Sequence, residues 1–341
     1  MNTVHIPNLP WEEISSPAKK FHSFFKNISL ALGGVCNKGT WGGGHPFDLQ
    51  IRRVPPGAAV CPFHAELAQW EMFIVLDGTG TERTSEAHTA VQTGDVFLHP
   101  PGTPHQLTNT GGTDLEVLII ADNPPMDGCY YPDSDKWYLH PPGKYFRMTA
   151  VHYFDGEEPK VPGAPAYRPL GSPAAPVLAP FDQRKIHPDS LSWETWESPK
   201  KKFRGASKEL SIALGAKRNK PTGQGGHPFD LELSKLAPDE VGCPFHSHAA
   251  QWELFLIVSG TATVRANTET HTLRSGDVVL HPPGEAHQIT NASATDELIF
   301  YLVADNPPVD YWHYPDSGKW GLREPRKFFR ITELNYWDGE E

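Results

Sequence analysis

Several things are scarce in this chain, and each scarcity excludes a class. No run approaches ~18 consecutive apolar residues, so no transmembrane helix is expected. Cysteine accounts for only 4 of 341 residues, too few for a disulfide framework at this length. Basic residues are in the minority, 30 against 41 acidic, for a formal charge of −11. With no basic patch in view, neither a nucleic-acid nor an anionic-membrane partner is expected. The first ten residues have no basic stretch followed by an apolar one, so no secretory signal is read there and cytoplasmic residence is the expectation. Long segments of helical periodicity are missing too; a helix is open only over 16–32 and 198–214, where Ser-Pro can start a turn. There is no Gly-rich phosphate loop in a strand–helix setting and no Ser-His-Asp order.

What the chain does have is a second copy of itself. His45, His64, Glu71 and His105 recur 182 residues later as His227, His246, Glu253 and His287. After Asn109 and Asn291 the offset becomes 183, as in Asp122 with Asp305 and Trp137 with Trp320, so one inserted residue separates the copies. Between 61–109 and 243–291, 25 of the 49 aligned positions are identical. Self-similarity of this kind means one domain used twice. The expected division is an N-terminal domain over 1–158, a linker over 159–192 and a C-terminal domain over 193–341. Eight prolines between Pro159 and Ser190 make the linker extended rather than helical.

Each copy reads as short strands punctuated by turns. Glu253-Leu-Phe-Leu-Ile-Val258 and Asp277-Val-Val-Leu280 are examples, separated by Ser259-Gly260 and Ser275-Gly276. The expected class is all-β, two tandem antiparallel barrels. Strand parity then places a site. Alternate residues share a face, so His246 and His248 project together. Glu253, five residues on, has the wrong parity unless the chain bends within 249–252. His287 arrives from a more distant strand after Pro282-Pro-Gly284. Three imidazoles and a carboxylate suit a divalent transition metal.

These residues form the pattern His-x-His-x4-Glu-x6-Gly over 246–260 and Gly-x5-Pro-x-Gly-x2-His-x3-Asn over 276–291. Both patterns resemble the two signature motifs of the cupin superfamily, and because both halves carry them the chain resembles a bicupin. The tails Asp305-Asn-Pro-Pro and Tyr314-Pro-Asp-Ser resemble those of functionally uncharacterised small cupin proteins. The resemblance implies a double-stranded β-helix jelly roll and a metal held by His246, His248, Glu253 and His287. In the N-terminal copy His64, Glu71 and His105 keep their places, but Glu66 replaces the second histidine. Three readings stay open: Glu66 ligates, it supports a two-His, one-carboxylate site, or this barrel holds no metal.

Around each centre, Gln69, Gln251, Phe73 and Phe255 are candidate pocket residues; a cap on the bend accounts equally for the glutamines, and core packing accounts for the phenylalanines. Trp70 and Trp252 have the opposite parity and are expected on the outer face, in the contact between copies. His99 and His281 read as structural. The expected cofactor is Fe, Mn, Ni or Zn. The expected function is a metal-dependent enzyme acting on a small organic substrate, of dioxygenase type, with a sugar or sugar-phosphate isomerase as the enzymatic rival and a non-catalytic small-molecule-binding or structural bicupin as the alternative. The two fused barrels already form a pseudo-dimer, and a homo-oligomer is the other expected state.

Overall fold

The computed structural model describes residues 2–151, 153–157 and 179–340. Of the expected linker, 159–178 lies outside the described residues. Among the described residues the architecture is all-β, with only two four-residue α-helices, Ile28–Ala31 and Leu210–Ala213. Neither segment open to a helix becomes one. Each is a strand one place in from the sheet edge, His22–Asn27 or Arg204–Glu209, followed by that single turn. The turn is pinned to the sheet because Ser29 and Ser211 Oγ accept from the backbone N–H of Leu49 and Leu231, both at 2.8 Å.

Each half builds one seven-stranded, one three-stranded and one four-stranded sheet. The large N-terminal sheet runs in the order Lys185–Ile186, Val96–His99, Glu71–Asp77, Leu115–Asp122, Phe47–Val54, His22–Asn27, Glu12–Ser15. Its C-terminal counterpart begins with Asn2–His5 beside Asp277–His281. The first strand of each large sheet therefore comes from outside that copy, Asn2–His5 from the N-terminal domain and Lys185–Ile186 from the segment that leads into the C-terminal domain. Asn2 pairs with Leu280 and His5 with Asp277, while Lys185 pairs with Phe97 and Ile186 with Val96. Each exchanged segment is clamped by a buried lysine further along the chain: Lys26 Nζ donates to Ile6 O at 2.9 Å, and Lys208 Nζ to Pro188 O at 2.8 Å.

The central strands are apolar at nearly every position because both faces are covered. In Glu71–Asp77, Phe73 and Val75 point into the barrel with Phe97 and Leu107, whereas Met72 and Ile74 point outward. The outward set joins Phe47, Phe229, Leu254 and Val303 in one core shared by both halves. Trp70 packs on His227 with ring centroids 5.1 Å apart, and Trp252 on His45 at 5.5 Å. The tryptophans thus lie in the contact between copies, as their parity requires. No helix among the described residues is long and apolar enough to cross a membrane.

Candidate metal centres

In the C-terminal barrel the chain bends at 249–250 between the short strand Ser247–His248 and the strand Glu253–Ser259. That bend corrects the parity and brings Glu253 beside the histidines. His287 opens the strand His287–Asn291 and exchanges backbone hydrogen bonds with His246 at 3.1 and 2.7 Å. His246 Nε2 lies 3.1 Å from His248 Nε2, His248 Nε2 lies 3.5 Å from Glu253 Oε1, and His287 Nε2 lies 2.7 Å from Glu253 Oε2. His246, His248 and Glu253 each bring a donor atom within 4.8 Å of the other two, and His287 joins the set through Glu253.

The other ring nitrogens set the tautomers. Nδ1 of His246 lies 2.9 Å from Pro244 O, that of His287 lies 3.1 Å from Glu285 O, and that of His248 lies 2.7 Å from Asp310 Oδ2. Each Nδ1 faces an acceptor and so carries the proton, which leaves the Nε2 lone pairs of His246 and His248 facing each other across 3.1 Å. A proton on one ring or a metal ion between the two relieves that contact. Donors held ~2.1 Å from one ion lie ~3 to 3.5 Å apart at tetrahedral or octahedral angles, so the 3.1 and 3.5 Å spacings among His246, His248 and Glu253 fit a metal, whereas His287 lies 2.7 Å from Glu253 and outside that three-residue set. The electrostatics agree. Burial and then the neighbouring His287 push the His246 imidazole down to about 3. Burial works to raise the Glu253 carboxyl, yet the imidazoles of His248, His287 and His246 hold it well below its ordinary range.

Asp310 escapes a reading of the sequence alone. Its side chain is fully buried; one oxygen faces His248 and the other accepts from the backbone N–H of Ala250 at 2.9 Å. It fixes the bend and the imidazole together. Its counterpart Asp127 keeps only the backbone bonds, to Leu67 and Ala68 at 3.1 and 2.8 Å, because Glu66 replaces the histidine. Identity at this repeat position was the one available signal. Carboxylates behind ligating histidines typically matter 10–100-fold in metal affinity. Asp310→Asn is therefore expected to weaken metal binding at the C-terminal centre by about that factor, read by competition with a chelator.

In the N-terminal barrel His64, Glu66, Glu71 and His105 bring one donor atom each within 4.8 Å of one another. The pairing differs from that of the other half: His64 Nε2 meets Glu66 Oε1 at 2.6 Å, and His105 Nε2 meets Glu71 Oε2 at 3.0 Å. Burial opposes charge here too. Even so, Glu66 and Glu71 raise His105 to about 9, and His64 with His105 lowers Glu66 to about 2. Two imidazolium–carboxylate pairs can satisfy this cluster with protons alone, whereas in the C-terminal set two imidazole Nε2 atoms face each other at 3.1 Å. The Glu66 carboxylate stands within the donor ring rather than behind it. Glu66→Ala is expected to lower metal content in this half only, by up to one equivalent per chain in elemental analysis. An unchanged two-site stoichiometry would show that Glu66 is no ligand.

A second layer backs the ligands. His99 stacks on His105 with centroids 3.9 Å apart, and His281 stacks on His287 at 4.2 Å. Their carboxylate partners come from different places. Glu285 lies 2.7 Å from His281 Nδ1, while Glu82, wholly buried, lies 3.4 Å from His99 Nε2. Val264 occupies the Glu82 position in the other copy. Burial pushes the Glu82 carboxyl up to about 8. The folded form then keeps a proton that the unfolded chain releases near 4.5, so stability falls as pH rises through that window. Glu82→Gln is expected to flatten this slope by on the order of a few kcal/mol, read from urea unfolding at pH 5.5 and 8.5.

Each cluster opens on a cavity. The N-terminal one, about 280 Å³, is lined by His64, Glu71, Gln69 and Phe73 among others. The C-terminal one, about 190 Å³, is lined by His246, Glu253 and Phe255 with Ile289 and Leu302. Gln69 also donates its amide to Asp122 O at 2.6 Å, and Gln251, 6% exposed, donates to Asp305 O at 2.5 Å. The glutamines therefore clamp the bend. Phe73 and Phe255, 3% exposed, serve cavity wall and barrel core at once.

Comparison with known proteins follows the same lines. The cupin domain family model matches residues 50–121 and 232–304. Auxin-binding protein 1 of Arabidopsis thaliana is 28% identical over 117 residues, covering 32% of this chain and 56% of that protein. An oxalate-binding protein of Thermotoga maritima is 32% identical over 68 residues, covering 20% and 55%. The chain thus spans about half the length of the relatives it matches. Among solved structures, an oxalate decarboxylase of Lactobacillus farciminis in a formate complex superposes with a TM-score of 0.53 at 14% identity, over 90% of this chain and 86% of that one. The Bacillus subtilis oxalate decarboxylase at pH 4.6 gives 0.52 at 13% identity, over 91% and 78%. At such identities the likeness is one of fold, and it extends across both halves. With a family match in each copy and a shared two-barrel fold, the chain contains two cupin domains.

Proposed function

We propose that this bicupin is a metal-dependent enzyme acting on a small organic substrate, with its chemistry in the C-terminal barrel. The observation that carries the reading is the set of Nδ1-anchored imidazoles, His246, His248 and His287, converging with Glu253 at the wall of a small cavity. These four residues would hold Fe, Mn, Ni or Zn, and an ion so held supplies Lewis acidity or dioxygen chemistry to a bound substrate. The chain's own contribution is positioning. Asp310 orients His248, while Phe255, Ile289 and Leu302 give the adjoining cavity an apolar wall. The N-terminal centre, with its self-matched His–Glu pairs, serves a different role.

Dioxygenase-type oxidation is the favoured reaction, ahead of sugar or sugar-phosphate isomerisation. The fold shared with oxalate decarboxylases adds decarboxylation of a small acid as a rival. One experiment separates these. The metal-loaded protein is assayed for oxygen uptake and carbon dioxide release on a panel of small enediols, catechols, carboxylic acids and sugar phosphates. Substrate-dependent oxygen uptake supports the dioxygenase, and carbon dioxide release without it supports the lyase. Bound metal with no turnover on any member favours a non-catalytic binder. The same proposal keeps the units 1–158 and 193–341 joined by 159–192, in the cytoplasm, as a pseudo-dimeric monomer or a homo-oligomer.

A further inference from the structure

The two cavities differ most at three aligned positions behind the metal centres. Asn27, Gln50 and Arg52 in the first copy correspond to Glu209, Glu232 and Ser234 in the second, and Cys36, which also lines the N-terminal cavity, corresponds to Arg218. Arg52 lines the N-terminal cavity together with His64 and Glu71. Its Nε donates to Gln50 Oε1 at 2.6 Å and its Nη1 to Ser23 Oγ at 3.0 Å, and the guanidinium lies 5.1 Å from the Phe25 ring centroid. Every one of these partners is neutral. No ion pair to Arg52 is formed among the described residues, and Nη2 makes no hydrogen bond there. A partly desolvated guanidinium, fixed on one edge and free on the other, is suited to bidentate recognition of a planar anion.

The C-terminal cavity is built the other way. Ser234 Oγ donates to Glu232, Glu209 lies behind them paired with Arg218 at 2.9 Å, and the cation among the lining residues, Lys235, is engaged by Glu297 at 3.0 Å. Burial, then the neighbouring Glu209, pushes the Glu232 carboxyl up to about 7. Asp48 and Asp230 occupy equivalent positions in both copies and do not distinguish them.

We propose that the N-terminal cavity is a binding site for a small organic carboxylate, held on the free edge of Arg52, and that the C-terminal cavity rejects such an anion because Glu232 and Ser234 replace Gln50 and Arg52. This assigns different ligands to the two barrels of one chain, and it stands whether or not the C-terminal centre is an oxidising one.

The test is calorimetric titration of the metal-loaded full chain with benzoate and with its neutral isostere benzamide. Benzoate is expected to bind one site per chain at least tenfold more tightly than benzamide. Arg52→Gln should weaken benzoate at least tenfold and leave benzamide unchanged, and Arg52→Lys should recover part of the loss. The double change Glu232→Gln with Ser234→Arg should create a second benzoate site; it decides the matter if Arg52→Gln does not fold. The proposal is overturned if the wild-type chain ignores benzoate, if it binds benzoate at two equal sites, or if Arg52→Gln leaves benzoate affinity intact. Turnover is not read in any arm, so failure here leaves the metal-enzyme reading untouched.

Discussion

Replacing His287 with alanine is expected to empty the C-terminal centre: elemental analysis should show the loss of one metal equivalent per chain, with the N-terminal complement unchanged. His287 does three things at once. It bridges His246 through the backbone, it places Nε2 2.7 Å from Glu253, and its Nδ1 is fixed on Glu285 O. Alanine can keep the backbone bridge but not the donor, and Glu253 is left buried with one fewer imidazole partner. Loss of a direct ligand should exceed the roughly 10–100-fold effect typical of a supporting carboxylate. His281→Ala is the control, since it removes a stacked ring and leaves the four donors in place. If His287→Ala retained its full metal complement, the assignment of this centre would be wrong.

The second large effect is on stability. Phe229 and Phe47, each 1% exposed, meet edge to face with centroids 6.1 Å apart in the core shared by the two barrels. Phe229→Ala deletes a buried ring from a surface whose strands cannot collapse independently, and a cost of about 3–5 kcal/mol is expected. At roughly 2–4 °C per kcal/mol for domains of 150–250 residues, calorimetry should show a fall in Tm on the order of 10 °C. The same change should affect both halves, because each large sheet carries a strand from outside its own copy. A loss below about 1 kcal/mol would mean that the shared core does not couple the barrels.

Much of the site was legible because its signals are local. His246 and His248 share a face by strand parity, and the need for a bend before Glu253 follows from the same rule. Met72 and Phe73 are different. An unbroken apolar run announces a strand covered on both sides but does not say by what. Asp310 and Arg52 left weaker traces still. Asp310 reaches His248 across 62 residues, and Arg52 meets the cavity from a strand outside both motifs. The brief helices at Ile28–Ala31 and Leu210–Ala213 also went the way of tertiary context, since pairing of the preceding strands outweighed the turn-forming Ser-Pro.

By itself the sequence determined the duplication, the all-β class, the positions of the metal-ligating candidates and the one place, Glu66, where the copies diverge in the donor set. Each of these is a matter of residue identity at fixed spacing. Only the tertiary structure decided which strands pair across the copies, that Nε2 of His246 faces that of His248 while His64 and His105 each face a carboxylate, and that Arg52 lines one cavity and Glu232 the other. Those are relations among side chains far apart in the chain, set by sheet register and burial, and no local pattern encodes them.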